Sequence, residues 1–225
     1  MPVYLSKQTS TSFLFIHIPK CGGGSIEKFF RENKYHEQLF SLNPSNLRKC
    51  SAQHMHAFML ENILNIDNFK YVFTVVRNPI ARLISEYKWR IRDKTTEGGF
   101  DSWYKITRKR YLTNNFYYDN HIRPMHEFIT KRCDVHKLEN GMDNIQQVIE
   151  SKCLDFGNTD SLWITRKIEN QKKNIHKDIL EKMPHLKSRF DKAAPSSETV
   201  SKIMRDYEND FKFFGYSLNS DDYIP

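Results

Sequence analysis

The sequence predicts an α/β fold, a three-layer sandwich around a central parallel sheet. Two apolar runs of strand length, Phe13–Ile18 and Tyr71–Val76, each break at a proline-bearing turn and give way to helical spacing. The histidine-bearing stretch 50–66 between them also runs into helical spacing. Repeated strand-to-helix units of this kind lie in parallel, joined by right-handed crossovers.

Phe13 to Ile18 is β-branched and aromatic, with only His17 polar, which suits a strand covered on both faces. Pro19 stops it because proline offers no amide to a ladder. Lys20-Cys21-Gly22-Gly23-Gly24 follows, and glycines allow positive φ and close approach of a ligand to the backbone. Ser25 to Phe30 then reads as a helix, with Ile26, Phe29 and Phe30 on one face. A glycine turn at a helix N-terminus gathers amide donors and the positive end of the dipole, a ready phosphate site. Lys20 adds a mobile charge at the mouth. The lysine precedes the glycines, so the block is not a Walker A loop, which places its lysine after them. Taken alone, it also fits an ordinary glycine turn.

Tyr71 to Val76 is apolar apart from Thr74. Asn78-Pro79 ends the run, and Pro79 fits the first turn of a helix. Ile80, Leu83, Ile84, Tyr87 and Ile91 form the core face of that helix. Arg77 sits at the strand's end, where open α/β sheets place ligand contacts, and its planar fork can grip a phosphate with two parallel bonds. Ser85, two turns into the helix, can face the same phosphate.

Elsewhere, residues 50–66 read as a short strand or turn through the histidines, then a helix over Phe58–Ile66. Gly98-Gly99 marks a loop. Tyr111, Phe116, Tyr117 and Tyr118 suit stacking on sugar rings and a half-buried wall equally. Asn144–Ser151 reads as a short helix over Ile145, Val148 and Ile149, leading toward Leu154-Asp155-Phe156-Gly157. From Arg166 the chain turns basic, through Lys167, Lys172, Lys173, Lys177, Lys182 and Lys187. Ser196 is a good N-cap for a final helix whose stripe, Val200, Ile203, Met204, Tyr207 and Phe211, is expected to pack on the sheet.

Together the two turn-bearing blocks resemble the sulfotransferases that use 3′-phosphoadenosine 5′-phosphosulfate (PAPS). More narrowly, the chain is similar to the carbohydrate branch with the heparan and uronyl 2-O-sulfotransferases and the chondroitin sulfotransferases. In that family a P-K-x-A/G-G-T/S-S/T loop holds the 5′-phosphosulfate, and Pro19-Lys20-Cys21-Gly22-Gly23-Gly24-Ser25 resembles it at every position but Gly24, where a hydroxyl residue is usual. The family's R-N/D-P-x-x-R-x-x-S run holds the 3′-phosphate, and Arg77-Asn78-Pro79-Ile80-Ala81-Arg82-Leu83-Ile84-Ser85 fits it throughout. Gln53-His54-Met55-His56-Ala57-Phe58 resembles an H-x-H segment. Asp119-Asn120-His121-Ile122-Arg123-Pro124 resembles an N-H-x-R-P stretch, and Tyr207 to Tyr216 a terminal Y-x-x-D-F-x-x-F/Y-G-Y segment. The echoes run in family order from about residue 13 to 216, while the stretch from about 86 to 115 matches no motif. The resemblance implies a single P-loop NTPase-like sulfotransferase domain over 1–225, with 1–12 and 218–225 as peripheral tails.

The chain has 225 residues, and Lys plus Arg total 35 against 27 acidic residues, for a net charge of +8. That balance favours polyanionic partners and suits an acidic polysaccharide acceptor. There is no run of eighteen apolar residues and no basic-then-apolar leader. Golgi relatives carry a membrane anchor, so the expectation is a bacterial-type soluble enzyme of the cytoplasm, with a trimmed luminal domain as the lesser alternative. Cysteines 21, 50, 133 and 153 show no C-x-x-C spacing, so thiols in a reducing compartment are expected. Cys21, beside the loop, reads as a small filler residue or as a thiol activated by the helix N-terminus.

Sulfuryl transfer needs positioning, charge stabilisation on the leaving oxygen and a base for the acceptor hydroxyl. His56 is the candidate base: with an unperturbed pKa of about 6.5, its neutral form is abundant at pH 7. The resemblance gives the second histidine of H-x-H this role in the 2-O-sulfotransferases. In an extended segment His54 and His56 project to the same side, so His54 is placed to orient the base or touch the acceptor. Lys20 is expected to neutralise the bridging oxygen. Lys20, Cys21, Gly22, Gly23, Gly24, Ser25, Arg77 and Ser85 are expected to bind PAPS, and His121 and Arg123 to face the acceptor, a carbohydrate or another hydroxyl compound. No metal is expected, because the histidine pair lacks a third ligand at sensible spacing, and no nucleic-acid partner. The rival readings are a nucleotide kinase-like phosphotransferase and a non-enzymatic polyanion-binding protein.

Overall fold

Val3–Leu5 (β1), Ser12–Ile16 (β2), His36–Gln38 (β3), Tyr71–Val76 (β4) and Asp134–Lys137 (β5) form one sheet in the order β3-β1-β2-β4-β5 in the computed structural model of the chain. Among the described residues its helices are Gly23–Glu32 (α1), Ala57–Ile63 (α2), Pro79–Arg92 (α3), Phe100–Thr113 (α4), Met142–Cys153 (α5), Lys187–Asp191 (α6), Ser197–Asp206 (α7) and Glu208–Phe214 (α8). The structure describes residues 2–6, 10–40, 49–96, 98–153, 187–191 and 193–223. Two compact units divide the chain: Met1–Val76 with Glu127–Gln171, and Arg77–His126 with Lys172–Pro225.

In the first unit, β4 runs parallel to β2, as the apolar runs predict, and also to β5, a strand that the sequence reading did not anticipate. The sheet as a whole is mixed, however, because β1 is antiparallel to β2 and to β3. The connection from Leu5 to Ser12 closes on itself, with Ser6 N–H bonded to Thr11 C=O at 3.0 Å. Such a short return joins antiparallel strands, since a parallel pair needs a long crossover. Residues 3–5, read from the sequence as tail, thus lie inside the sheet. Tyr4 is fully buried and stacks on Phe30 at 4.0 Å, and its hydroxyl donates to Glu37 of β3 at 3.0 Å.

All of β4 is buried on both faces, as suits a central strand. Its lone polar residue, Thr74, donates its hydroxyl to Ile16 C=O of β2 at 2.6 Å. Phe13, Phe15, Tyr71, Phe73 and Val75 share a core with Ile26, Phe29 and Phe30 of α1 and with Ile145 and Ile149 of α5. Helix α5 extends beyond the expected 144–151. Helix α2 ends at Ile63, short of the expected Ile66, because Leu64 is extended and the Asn65 side chain accepts the Asp67 N–H to start a new turn.

In the second unit, Asn78 caps α3 by accepting the N–H groups of Ile80 and Ala81 at 3.0 and 3.1 Å, and Pro79 takes the first turn. The stretch without a motif is the second half of α3 and then α4. Ile80, Leu83, Tyr87 and Ile91 pack with Trp103 and Tyr104 of α4 and with the stripe Val200, Ile203, Met204, Tyr207 and Phe211. That stripe, expected to pack on the sheet, enters this core of helices. It is also two helices: Tyr207 (φ −121°, ψ 24°) breaks the run between α7 and α8. Ser196 caps α7 by accepting the Thr199 N–H at 3.3 Å. Tyr223, in the stretch expected as a peripheral tail, packs on Phe211 at 6.0 Å. The basic positions Arg166 to Lys182 and the segment Leu154 to Gly157 lie outside the described residues, and Lys187 opens α6. No helix among the described residues is long and apolar enough to cross a membrane. No disulfide joins the four cysteines, and burial pushes the thiols of Cys133 and Cys153 up to about 12.

Candidate active site

The turn after β2 is built from left-handed backbone. Lys20 has φ 68° and Gly22 φ 90°, a region glycine reaches without steric cost. A Cβ on Gly22 would also sit 2.6 Å from Met142 Cε. Helix α1 starts at Gly23, earlier than the expected Ser25, and no side chain caps it. The Ser25 N–H bonds Gly22 C=O at 3.0 Å. The first N–H groups of a helix lack intrahelical acceptors, so Gly22, Gly23 and Gly24 supply donors at the positive end of the helix dipole. Lys20 is half-buried, Gly24 exposed and Ser25 buried. Cys21 is buried, with its N–H bonded to Ile18 C=O at 3.4 Å and its Sγ 3.7 Å from Pro19 C=O, so it fills space inside the turn.

Beneath the turn lies a buried polar network. His17 Nδ1 meets Glu27 Oε1 in a short contact, and Gln53 Nε2 donates to Glu27 Oε1 at 2.6 Å while lying 2.9 Å from His17 Nδ1. Gly23 and Glu27 are one turn apart on the same face of α1, and the imidazole spans both. A Cβ on Gly23 would lie 2.5 Å from His17 Nε2, 2.6 Å from Cε1 and 2.8 Å from Cδ2. Burial raises the Glu27 pKa, but the charge of His17, the hydrogen bonds from His17 and Gln53 and the charge of Arg31 outweigh it, leaving the carboxyl below its ordinary 4.5.

The two candidate histidines part company here. Ala52–His54 is a 3₁₀ turn, so the extended backbone expected for the segment begins only at Met55. His54 is buried, edge-on to His17 with ring centroids 5.2 Å apart, and its Nδ1 is 3.3 Å from Ser51 Oγ. His56 is half-buried at the N-cap of α2, where its C=O accepts the N–H groups of Met59 and Leu60 at 3.0 and 3.1 Å. Its ring lies near Phe58, with centroids 6.5 Å apart.

In the second unit, Arg77 and Ser85 are both half-buried. The motif's other arginine, Arg82, is 1% exposed and holds a loop: Nη2 donates to His121 C=O at 2.9 Å and Nη1 to Arg123 C=O at 2.8 Å. Tyr207 donates its hydroxyl to the intervening Ile122 C=O at 2.7 Å. Asp210, fully buried, accepts the N–H groups of Met125 and His126 at 2.7 and 2.9 Å. Three successive carbonyls and two amides are thereby fixed by side chains from distant helices. The loop is strained, since Tyr118, Asp119 and Asn120 all have φ between 54° and 64°.

The side chains of His121 and Arg123 belong to the same scaffold. Glu86, fully buried, lies 2.7 Å from His121 Nδ1 and accepts from Arg90 Nε at 2.7 Å, and Trp89 stacks on the His121 ring. Arg123, 3% exposed, donates to Asn120 Oδ1 at 3.0 Å and to Asn115 C=O at 3.1 Å. Sequence reasoning missed Glu27, Gln53, Arg82 and Glu86 as structural partners. Two signals pointed to the contact of His17 with Glu27: His17 is the one polar residue in the apolar run Phe13–Ile18, and Glu27 shares the α1 face of Ile26 and Phe30.

Gly23→Ala should be strongly destabilising because the new methyl meets the His17 ring. The same change in a His17→Ser background should cost much less, a non-additive pair that thermal melts of the two single variants and the double variant will measure. Glu27, with its folded pKa below the ordinary 4.5, contributes stability that is fully present above that pH and is lost as pH falls through the folded value. Denaturant unfolding of Glu27→Gln should therefore show a smaller loss of stability on acidification than the parent protein.

The model of the sulfotransferase family matches residues 6–217, a span that takes in the glycine turn, the Arg77–Ser85 run and the Tyr207–Tyr216 segment. No curated protein and no solved structure matches the chain. With nearly its whole length matched, this chain belongs to the sulfotransferase family.

Proposed function

We propose that the chain moves the sulfuryl group of PAPS to a hydroxyl of a carbohydrate acceptor, an acidic polysaccharide suiting its charge. Family membership supports sulfuryl transfer. The uncapped N-terminus of α1, with its left-handed glycine turn and Lys20 beside it, is the observation that carries the choice of a phosphorylated donor. In this reading residues 1–225 act as one sulfotransferase domain of the three-layer, P-loop-like kind.

The amides of Gly22, Gly23 and Gly24 and the Ser25 hydroxyl hold the 5′-phosphate end of the donor, and Lys20 holds the bridging oxygen. Arg77 and Ser85 take the 3′-phosphate. Asn78 caps α3 and Arg82 holds the 121–123 loop, structural roles within the motif, and this reading assigns the ligand to Arg77 and Ser85. The acceptor oxygen bonds to sulfur as the bond from sulfur to the phosphate oxygen breaks, and adenosine 3′,5′-bisphosphate departs. His56 takes the hydroxyl proton, and Lys20 offsets the charge that develops on the leaving oxygen. His54 orients the histidine segment from its buried position. His121 and Arg123 serve the acceptor through the loop they stiffen. The amides and Lys20 carry the charge stabilisation, so this chemistry calls for no metal ion.

Calorimetric titration with adenosine 3′,5′-bisphosphate should give saturable heat, and Arg77→Ala should weaken that binding by about tenfold or more, the worth of a charge-assisted pair. Lys20→Ala should lower turnover by orders of magnitude, and Lys20→Arg should restore little because its fork does not replace a point charge. His56→Ala should abolish turnover with binding nearly intact. A parent protein that gives no heat with the bisphosphate, while still binding polyanions in a salt-sensitive way, would overturn the reading in favour of a binding protein.

A further inference from the structure

We propose that His17, Glu27 and Gln53 form a brace that fixes the glycine turn relative to the segment bearing His54 and His56, with Glu27 as a positioning residue for turnover. The proposal rests on the sulfuryl-transfer reading above for its effect on rate, and on the geometry of the first unit for the brace itself. Glu27 is 4% exposed on the apolar face of α1. A buried carboxylate is costly unless paired, and an apolar side chain of similar volume would serve the core better. Its two contacts, with His17 and Gln53, explain its presence. It anchors His17, whose ring sets how closely Gly23 approaches the end of β2. It also anchors Gln53, the residue before His54 and three before His56.

The orientation of the Gln53 amide follows from charge. Glu27 is held ionised, so Nε2 and not Oε1 faces it. Gln53 Oε1 is then left buried without a hydrogen-bond partner among the described residues. Such a group carries a desolvation cost. The amide is retained for the bond that ties the histidine segment to α1. Misplacing reacting groups by about 1 Å can cost about 100-fold in rate, so a brace that joins the donor turn to the base-bearing segment acts on turnover more than on affinity.

Hydrogen exchange in the ligand-free protein tests the brace, read at the bonded amides of Cys21 and Ser25 on one side and His54 and Met59 on the other. Glu27→Gln, and independently Gln53→Leu, which keeps volume and removes the amide, should speed exchange on both sides together. The Arg82 amide, bonded to Asn78 C=O, should stay at the parent rate. In turnover assays both variants should lose about tenfold or more in kcat, with the Kd for adenosine 3′,5′-bisphosphate within about threefold of the parent. His17→Asn, which keeps an N–H near the Nδ1 position, should retain more activity than His17→Gln. Faster exchange on one side only, or a lower Tm with parent-like kcat per folded molecule, would overturn the brace. A parent protein that fails to bind the bisphosphate would overturn the donor reading instead, while the exchange comparison would still decide whether the brace exists.

Discussion

The imidazole of His17 occupies the volume that any side chain at residue 23 would need, and the turn is shaped around that contact. Glu27 holds the ring from one helical turn below, and the ring holds the start of α1 against the end of β2. The three glycines thus have different grounds. Gly22 is required by its positive φ, and Gly23 by the imidazole. Gly24 is exposed, at the position where the resembling loop carries a hydroxyl. The next hydroxyl along the chain is that of Ser25, one residue on, which is buried.

A second constraint organises the other unit. A backbone that leaves three left-handed residues and then runs buried from Asn120 to Met125 needs its carbonyls and amides satisfied from elsewhere. Arg82, Tyr207 and Asp210 do this, reaching one loop from helices far apart in sequence. The terminal Y-x-x-D segment and the inner arginine of the R-N-P motif therefore serve one purpose, and neither needs a ligand to explain it. Motif membership marks residues the fold requires as readily as residues that touch a substrate.

The parts legible in the sequence are those set by local chemistry. The strand Tyr71–Val76 was readable end to end because burial on both faces leaves an unbroken apolar run, and Asn78-Pro79 and Ser196 announce their helices through capping. Strands β1 and β3 were not readable. Each is three residues long, and His36-Glu37-Gln38 carries no apolar periodicity, so pairing alone defines it. The break at Tyr207 was invisible because the apolar spacing continues across it. At the site, the glycine turn and the Arg77 run stood out as motifs. The His17–Glu27–Gln53 network did not, because its members lie 10 to 36 residues apart and a glutamate on a helix ordinarily reads as solvated. The histidine segment was legible in part: the same-side argument assumes extended backbone, which holds at Met55 and His56 but not at His54, the last residue of a 3₁₀ turn.

The proposed donor site requires that the amides at the head of α1 receive an anion. Backbone nitrogen and proton resonances followed during titration with adenosine 3′,5′-bisphosphate measure this residue by residue. The account predicts saturable shifts that are largest at Gly22, Gly23 and Gly24. Shifts confined to surface lysines, with those three amides unmoved at saturation, would contradict it.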